Sequence, residues 1–198
     1  MLRDDLVNPP EMEELLASAD DAVLETLDVE IDAELYTNRF AKANDRRGEV
    51  VFAIRGPQGG TLVHRKTFYA EGIFRLPSGG INHGEPVLEA LRREVREETG
   101  LAISASHCLG VQDCRLRYNG FSVRFVSYIF HIHQTVGQLR IGPGENIAEF
   151  REVSPGGLAE IAALLRHEPP PWSGWGRWRA LAHDRVHRHL VEDTHSHE

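Results

Sequence analysis

The most informative segment of this chain comprises residues 79–101, which read GGINHGEPVLEALRREVREETGL. It starts with a glycine-containing loop, and glycine can adopt backbone angles that are closed to other residues. No glycine lies between Glu85 and Thr99, and the one proline there is Pro86, at a position where its missing N–H does no harm. The segment therefore predicts a loop followed by a helix that ends at Gly100.

Three glutamates share one face of this predicted helix. Residues three and four positions apart are neighbours on a helix, so Glu94 lies beside both Glu97 and Glu98. Carboxylates this close repel one another and weaken the helix unless a cation offsets their charge. Because Mg²⁺ commonly bridges one or two carboxylates to substrate phosphates, the pattern indicates a divalent-metal site.

Other positions of the helix support this interpretation. Arg93 is placed to pair with Glu89 or Glu97 on a neighbouring turn, which would hold a carboxylate in one orientation. A separate arc carries apolar residues that we expect to pack against a sheet, namely Leu88, Leu91 and Val95.

The whole segment resembles the Nudix box, GX5EX7REUXEEXGU, in which U is an aliphatic residue. Every specified position is filled without a gap, by Gly79, Glu85, Arg93, Glu94, Val95, Glu97, Glu98, Gly100 and Leu101. A solvated acidic helix face is the ordinary interpretation of a run of glutamates, but their register with the glycine loop favours the motif. The resemblance implies an α/β fold, a Nudix-type α/β/α sandwich around a mixed β-sheet, with extra N-terminal and C-terminal helices.

The resemblance also implies an activity. Nudix enzymes use Mg²⁺, or Mn²⁺, to hydrolyse a phosphoanhydride bond in a nucleoside diphosphate linked to another moiety, by metal-activated water. Carried over to this chain, Glu94, Glu97 and Glu98 would bind the metal, with Glu94 as the base in some members. Glu85 and Arg93 would support the catalytic residues.

Two other functions occur on the same fold. The main alternative is a non-catalytic module that senses a nucleotide or sugar nucleotide, although such domains often have a degraded box. The other is an isomerase of isoprenoid diphosphates, which uses a cysteine, and neither Cys108 nor Cys114 lies where that role can be assigned.

Residues outside the helix complete the predicted site. The resemblance implies a further catalytic glutamate from a downstream loop, for which Glu145, Glu149 and Glu152 are candidates and Glu149 is favoured. Candidate substrate-binding residues lie on the predicted strands and in the glycine loop: Arg55, Arg65, Lys66, Arg75, Gly79 and Gly80. For each of the basic residues, a solvent-facing position on a sheet is the alternative.

Two features of the sequence bear on the substrate: a set of tryptophans, and a position that differs within the family. Trp172, Trp175 and Trp178 could stack on a base, but their spacing favours a helix that packs its indoles against the domain. ADP-ribose hydrolases of the family tend to have a proline about 15 residues after the box. This chain has residues 115–117, Arg-Leu-Arg, in that region, which disfavours that subclass.

Hydrophobic periodicity predicts the remaining elements. Helices are expected at residues 9–27, 158–165 and 175–191. Strands are expected at 50–54, 61–68, 73–76, 122–133 and 150–153, with 61–68 as the hairpin partner of 50–54 and a tight loop at 77–80. The expected organisation is an N-terminal helical extension at 1–47, a Nudix hydrolase domain at 48–168, and a C-terminal helix and polar tail at 169–198.

Composition limits the partners. A chain of 198 residues, 41% of them hydrophobic, fits one domain with terminal additions. The formal net charge of −8 argues against a nucleic-acid polymer as partner, because that binding depends on clustered basic residues. No apolar run reaches about 18 residues, so we expect no membrane partner and a cytoplasmic location.

Three further expectations concern single residue types and assembly. The two cysteines lack metal or redox spacing and are expected to be reduced thiols. Histidines such as His183, His187 and His189 are expected at the surface rather than in a zinc site. The apolar stripe of the N-terminal helix must be covered by its own domain or by a second subunit, and we expect a homodimer.

Overall fold

The computed structural model describes residues 7–37 and 46–195, the last two of these by backbone only. Residues 1–6 and 38–45 of the expected N-terminal extension and residues 196–198 of the expected polar tail lie outside the described residues. The elements, in chain order, are α1 (Pro9–Ala17), β1 (Val23–Glu30), α2 (Ala33–Leu35), β2 (Gly48–Ile54), β3 (Thr61–Lys66), β4 (Ser78–Ile81), α3 (Val87–Thr99), β5 (Ala102–Tyr118), β6 (Phe121–Val136), β7 (Ile147–Val153), α4 (Pro155–Arg166) and α5 (Ser173–His195).

Five strands form the central sheet, in the order β1-β5-β6-β2-β4. The pairs β1/β5 and β2/β6 are parallel, whereas β5/β6 and β2/β4 are antiparallel, so the sheet is mixed. The remaining strands, β3 and β7, pair antiparallel in a separate two-stranded sheet.

Strand β2 shows why helices cover both faces of the central sheet. All of its residues are buried, and successive side chains of a strand point to opposite faces. Phe52 packs in a core cluster with Leu15 of α1 and Leu91 of α3, whereas Val51 packs in another with Val186 of α5. The expected α/β/α sandwich around a mixed sheet is therefore confirmed.

The box helix forms where the sequence predicts it. Gly100 has φ 71°, in the left-handed region that glycine tolerates, and its N–H donates to Arg96 O at 3.0 Å, which ends α3. The start depends on a distant residue, because Glu11 of α1 accepts a hydrogen bond from Val87 N at 2.6 Å. Of the expected apolar arc, Leu91 and Val95 are buried, but Leu88 is 41% exposed because it lies on the outer side of the helix.

The predicted helix at residues 9–27 is wrong in its second half. Helix α1 ends at Ala17, and residues 23–30 form β1, which pairs in parallel with β5 in a register that sets Val23 opposite Gly110. From Leu27 onward the apolar residues alternate, so that Val29 and Ile31 reach a core cluster beside Leu116. Pairing with the edge of a long strand prevails over helical spacing because it satisfies the backbone groups and buries this face.

The surface of α1 is covered by the same chain. Leu15 is buried in the core cluster that contains the box helix, and Met12 and Leu16 pack against that cluster. A second subunit is therefore not needed to cover this helix, and the homodimer stays a prediction.

The expected hairpin at residues 50–68 and the strand at 73–76 are also wrong. Strand β3 forms, but it pairs with β7 rather than with β2, and a single bridge between Arg55 and Thr61 spans the turn. Residues 73–76 contribute only a bridge between His64 and Arg75, while the segment expected as a loop begins β4, with Gly79 opposite Val50. Which strands pair is decided by long-range packing, which periodicity does not report.

The expectation of surface histidines is wrong for two of the three residues named. His183 is 1% exposed and His189 is 8% exposed, because that side of α5 packs on the sheet, whereas His187 is partly buried. Burial lowers the pKa of His183 to about 4, so its neutral ring can accept a hydrogen bond from Leu76 N at 3.0 Å.

The two cysteines are buried free thiols. Burial raises the pKa of Cys108 to about 11 and that of Cys114 to about 12, which leaves both as unreactive thiols at neutral pH. Among the helices that the structure describes, none combines the length and the apolar character needed to cross a membrane.

Candidate active site

A cavity of about 470 Å³ opens where the box helix, the end of β3 and the start of α5 meet. This volume lies in the range typical of small-molecule sites. Gly79, Gly80, Glu94 and Glu98 of the box line it, together with Glu145 from the segment between β6 and β7. The cavity thus brings the box together with residues far away in the sequence.

Glu98 lies at the base of the acidic side of the cavity, with its side chain 3% exposed. Its Oε1 accepts a hydrogen bond from Lys66 Nζ at 2.8 Å, and the same amine donates to Glu145 Oε2 at 3.2 Å. Glu98 Oε2 has no hydrogen-bond partner among the described residues and lies 3.8 Å from His64 Nδ1. Burial raises the pKa of Glu98, and the positive charges of Lys66 and Arg75 act in the opposite direction.

Arg93 organises the other box carboxylates. Its guanidinium donates to both oxygens of Glu85, at 2.7 and 2.9 Å, and to Gly80 O at 2.8 Å. Its Nη1 donates to Glu94 Oε1 at 2.7 Å and to Glu97 Oε2 at 3.1 Å. One guanidinium therefore holds the loop and two glutamates of the helix in fixed relative positions.

The three box glutamates differ in their placement. Glu94 and Glu98 line the cavity, whereas Glu97 is outside its lining and has a side chain that is 51% exposed. Burial raises the pKa of Glu94, although its hydrogen bond with Arg93 lowers it. Contacts with Arg93 and Lys66 hold the carboxylates as two pairs, Glu94 with Glu97 and Glu98 with Glu145.

Gly79 has a steric role beside Glu94. A Cβ atom at this position would lie 1.8 Å from Glu94 Cδ and 2.0 Å from Glu94 Oε2. Only glycine therefore leaves room for the carboxylate to lie across β4.

The three downstream glutamates have different partners, and Glu145 is the one that lines the cavity. Its segment is tied to the end of the box helix, where Arg140 N donates to Thr99 O at 2.9 Å. Glu152 accepts hydrogen bonds from the backbone of the turn after β2. Glu149, the residue favoured from the sequence, pairs instead with Arg65 at 2.9 Å and lies outside the cavity wall.

The candidate substrate-binding arginines are spread over the molecule. Arg75 is buried and lines the cavity, and the hydrogen bonds that it donates, to Tyr69 Oη, Leu76 O and Ser78 Oγ, are all to neutral oxygens. Its charge also acts on the nearby carboxylates of Glu98 and Glu49, although it forms no hydrogen bond with either in the contacts described. Arg65 is paired with a carboxylate, and Arg55 is exposed in a separate cleft, so neither joins Arg75.

Four aromatic residues of the cavity lining, which we call the aromatic wall, are Phe68, Tyr69, Trp172 and Trp175. The ring of Tyr69 lies 5.0 Å from that of Trp175 and 6.1 Å from that of Trp172 in edge contacts. Trp175 is 7% exposed and Trp172 is 38% exposed. The tryptophans therefore both pack on the domain and line the cavity, although stacking on a base and packing against the domain are alternatives in the sequence analysis.

Other residues of the cavity could not be recognised as site residues from the sequence. Arg179 of α5 lines the cavity and stacks on Trp178, with Cζ 4.0 Å from the ring centre. Glu34 and Leu35 of the N-terminal extension also contribute to the lining. From the sequence, Lys66 is only one of several basic residues on predicted strands that could bind substrate. These positions belong to no local motif, because they meet the box only through the fold.

The residues of the cavity fit a divalent cation. Carboxylate oxygens are the ligands that Mg²⁺ and Mn²⁺ prefer, and Glu94, Glu98 and Glu145 provide them in one cavity. Lys66 already sits between two of these groups, so the cluster attracts positive charge. The unpartnered Oε2 of Glu98 is a buried acceptor that a cation could satisfy.

Comparison with known proteins gives a consistent assignment. The family model described as the NUDIX domain matches residues 45–173. An ADP-ribose pyrophosphatase of Methanocaldococcus jannaschii is 36% identical over 93 residues, which are 47% of this chain and 54% of that protein. An RNA pyrophosphohydrolase of Mesorhizobium japonicum is 28% identical over 107 residues, covering 47% of this chain and 61% of that protein. The chain thus spans about half the length of the curated relatives that it matches.

Two solved structures are among those similar to this chain. The MutT NUDIX hydrolase from Burkholderia pseudomallei has 24% identity and a TM-score of 0.48, covering 70% of this chain and 95% of that one. The NUDIX domain of Shewanella oneidensis NrtR, solved in complex with ADP ribose, has 13% identity and a TM-score of 0.47, covering 81% of this chain and 99% of that one.

Proposed function

This chain belongs to the Nudix family, and on that premise we propose that it hydrolyses a phosphoanhydride bond in a nucleoside diphosphate linked to another moiety, using Mg²⁺ or Mn²⁺. The proposal rests on one observation, the cavity that is lined by box carboxylates, Arg75 and the aromatic wall together. Such a site offers cation ligands, a positive charge for phosphate and flat rings for a base. The relative from M. jannaschii is named as an ADP-ribose pyrophosphatase, which puts ADP-ribose on the substrate panel, although Arg-Leu-Arg at residues 115–117 disfavours that subclass.

The chain's own residues have distinct roles in this proposal. Glu94, Glu98 and Glu145 would hold the cation, and Arg93 keeps Glu94 oriented through its 2.7 Å hydrogen bond. When bound, a divalent cation lowers the pKa of water and neutralises charge on phosphoryl oxygens. Arg75 would bind a phosphate oxygen of the substrate.

The test is a turnover assay with the purified full chain. A panel of ADP-ribose, other nucleoside diphosphates linked to sugars or nucleosides, and nucleoside triphosphates is incubated with Mg²⁺, and products are separated by chromatography. We expect release of a nucleoside monophosphate from at least one member, its loss with a chelator and its return with added Mg²⁺. Turnover that persists unchanged without divalent cations contradicts the proposal.

One contact favours a second candidate, a non-catalytic nucleotide or sugar-nucleotide sensor. Lys66 already offsets the charge of Glu98 and Glu145, which reduces the demand for a metal there. A sensor would bind a panel member in calorimetry with no product formed after prolonged incubation with Mg²⁺, whereas the enzyme gives product.

Replacing Gly79 by Ala is expected to lower kcat/KM about 100-fold, because the new methyl group displaces the Glu94 carboxylate. The matched control is Gly84→Ala in the same loop, where a Cβ meets no atom within 4 Å. Its φ of +76° makes that change cost about 1 kcal/mol of stability, but activity should be retained. Equal kcat/KM values for the two variants would contradict the role of Gly79.

Replacing Trp172 by Ala is expected to raise KM about 10-fold with a smaller change in kcat, because a base loses one stacking surface. The residue is 38% exposed, so the fold should tolerate the change. Trp172→Phe keeps an aromatic ring and should recover much of the affinity. A KM that is the same in all three proteins would show that the aromatic wall does not bind the substrate.

A further inference from the structure

Three histidines meet outside the cavity, at the far end of α5. His107 of β5 and His131 of β6 lie directly opposite each other across the antiparallel pair, and His189 comes from α5. Their ring centres are 5.0–5.4 Å apart. One nitrogen of each ring lies within 4.8 Å of the others.

The spacing suits a tetrahedral metal ion. Ligand nitrogens about 2.0–2.1 Å from Zn²⁺ lie roughly 3.3 Å from one another in a tetrahedron. His189 Nε2 and His131 Nδ1 are already 3.3 Å apart. The third ring, that of His107, has a nitrogen within 4.8 Å of the other two and would have to move closer to complete a set of three ligands.

The second nitrogen of His189 has a partner of the type found in zinc sites. Its Nδ1 lies 2.8 Å from Asp21 Oδ2, so the carboxylate fixes the ring and directs Nε2 towards His131. Metal-binding histidines usually donate their other N–H to a carboxylate or carbonyl in this way. Asp21 is itself held in place, because Arg185 of α5 donates to its backbone oxygen at 2.6 Å.

The type of ligand selects the metal. Imidazole nitrogens suit Zn²⁺ better than they suit Mg²⁺. His133 lies beside the cluster, with its ring 5.7 Å from that of His107.

We propose that His107, His131 and His189 bind one Zn²⁺ ion, with Asp21 orienting His189, at a site separate from the cavity. The ion would fasten the C-terminal half of α5 to strands β5 and β6. The N-terminal half of the same helix carries Trp175 and Arg179, which line the cavity. Zinc would therefore stabilise the helix that forms one wall of the proposed active site.

The experiment uses the full chain, stripped of metal with a chelator and dialysed. Zinc chloride is titrated by calorimetry in the presence of millimolar Mg²⁺, which is added to compete with zinc for the carboxylates of the cavity. We expect one equivalent of bound zinc and a rise in Tm of roughly 5 °C or more at a hundredfold excess over Kd. Asp21→Asn should weaken zinc binding about 10–100-fold.

Matched variants locate the ion. His131→Gln and His189→Gln should each lose the bound equivalent, whereas His167→Gln, which changes an exposed histidine just after α4, should keep it. Circular dichroism and the Tm without metal show whether each variant is folded. Either an absence of zinc binding by the parent chain, or equal binding by His131→Gln and His167→Gln, overturns the proposal, whatever the outcome of the turnover assay.

Discussion

Replacing Glu98 by Gln is expected to reduce kcat/KM about 1000-fold, with little loss of stability. The substitution keeps the shape of the side chain but removes the negative charge that the proposed cation needs. Lys66 retains Glu145 as a charged partner at 3.2 Å, so its amine is not left unpaired. The measurement is steady-state hydrolysis of the best substrate from the panel, alongside urea denaturation.

The matched control for this prediction is Glu89→Gln. Glu89 lies on the same helix, but its side chain is exposed and lies outside the cavity lining. We expect this variant to keep kcat/KM within about twofold, because surface substitutions of this kind change little. Similar activity of both variants would exclude Glu98 from the catalytic residues.

Replacing Glu49 by Ala is expected to lower the free energy of unfolding by about 3–5 kcal/mol. The Glu49 side chain is 2% exposed and accepts hydrogen bonds from Arg179 Nη1, at 2.8 and 2.9 Å, and from Ser127 Oγ at 2.9 Å. Its removal leaves the Arg179 charge buried with one ionic partner fewer, and that desolvation is the source of the cost. Urea denaturation, analysed with a common m-value, measures the difference.

A more exposed ion pair between α4 and α5 provides the comparison. Asp184 of α5 pairs with Arg166, and their side chains are 31% and 40% exposed. Because water screens this pair, Asp184→Ala should cost less than about 1 kcal/mol. If the two variants lose equal stability, burial is not what makes the Glu49–Arg179 pair important.

The box helix could be predicted because its determinants are close together in the chain. The glycine-free run from Glu85 to Thr99 favours a helix, Gly100 ends it, and the three-to-four spacing puts Glu94 and Glu98 on one face. The same kind of reasoning failed at residues 23–30, where the apolar spacing is also compatible with a helix. There β5 offers a strand edge, and the segment pairs with it.

The remaining site residues could not be chosen from the sequence. Glu145, Glu149 and Glu152 stand within eight positions of one another and are equivalent by residue type. Only the placement of β7 and of the segment before it distinguishes Glu145 at Lys66, Glu149 at Arg65 and Glu152 at the turn. The histidine cluster could not be predicted either, because the spacing of His107, His131 and His189 in the sequence matches no motif, although the three lie close together in the fold.

The amino-acid sequence alone was therefore enough to identify the family, because the box lies within one loop and one helix, and the resemblance implied the fold class. The tertiary structure alone decided that Glu98, Lys66 and Glu145 meet, across separations of 32 and 79 residues. It also decided that the tryptophans line the cavity and that three histidines cluster behind it. Contacts of this kind depend on strand pairing and helix packing across the whole domain, and no local pattern records them.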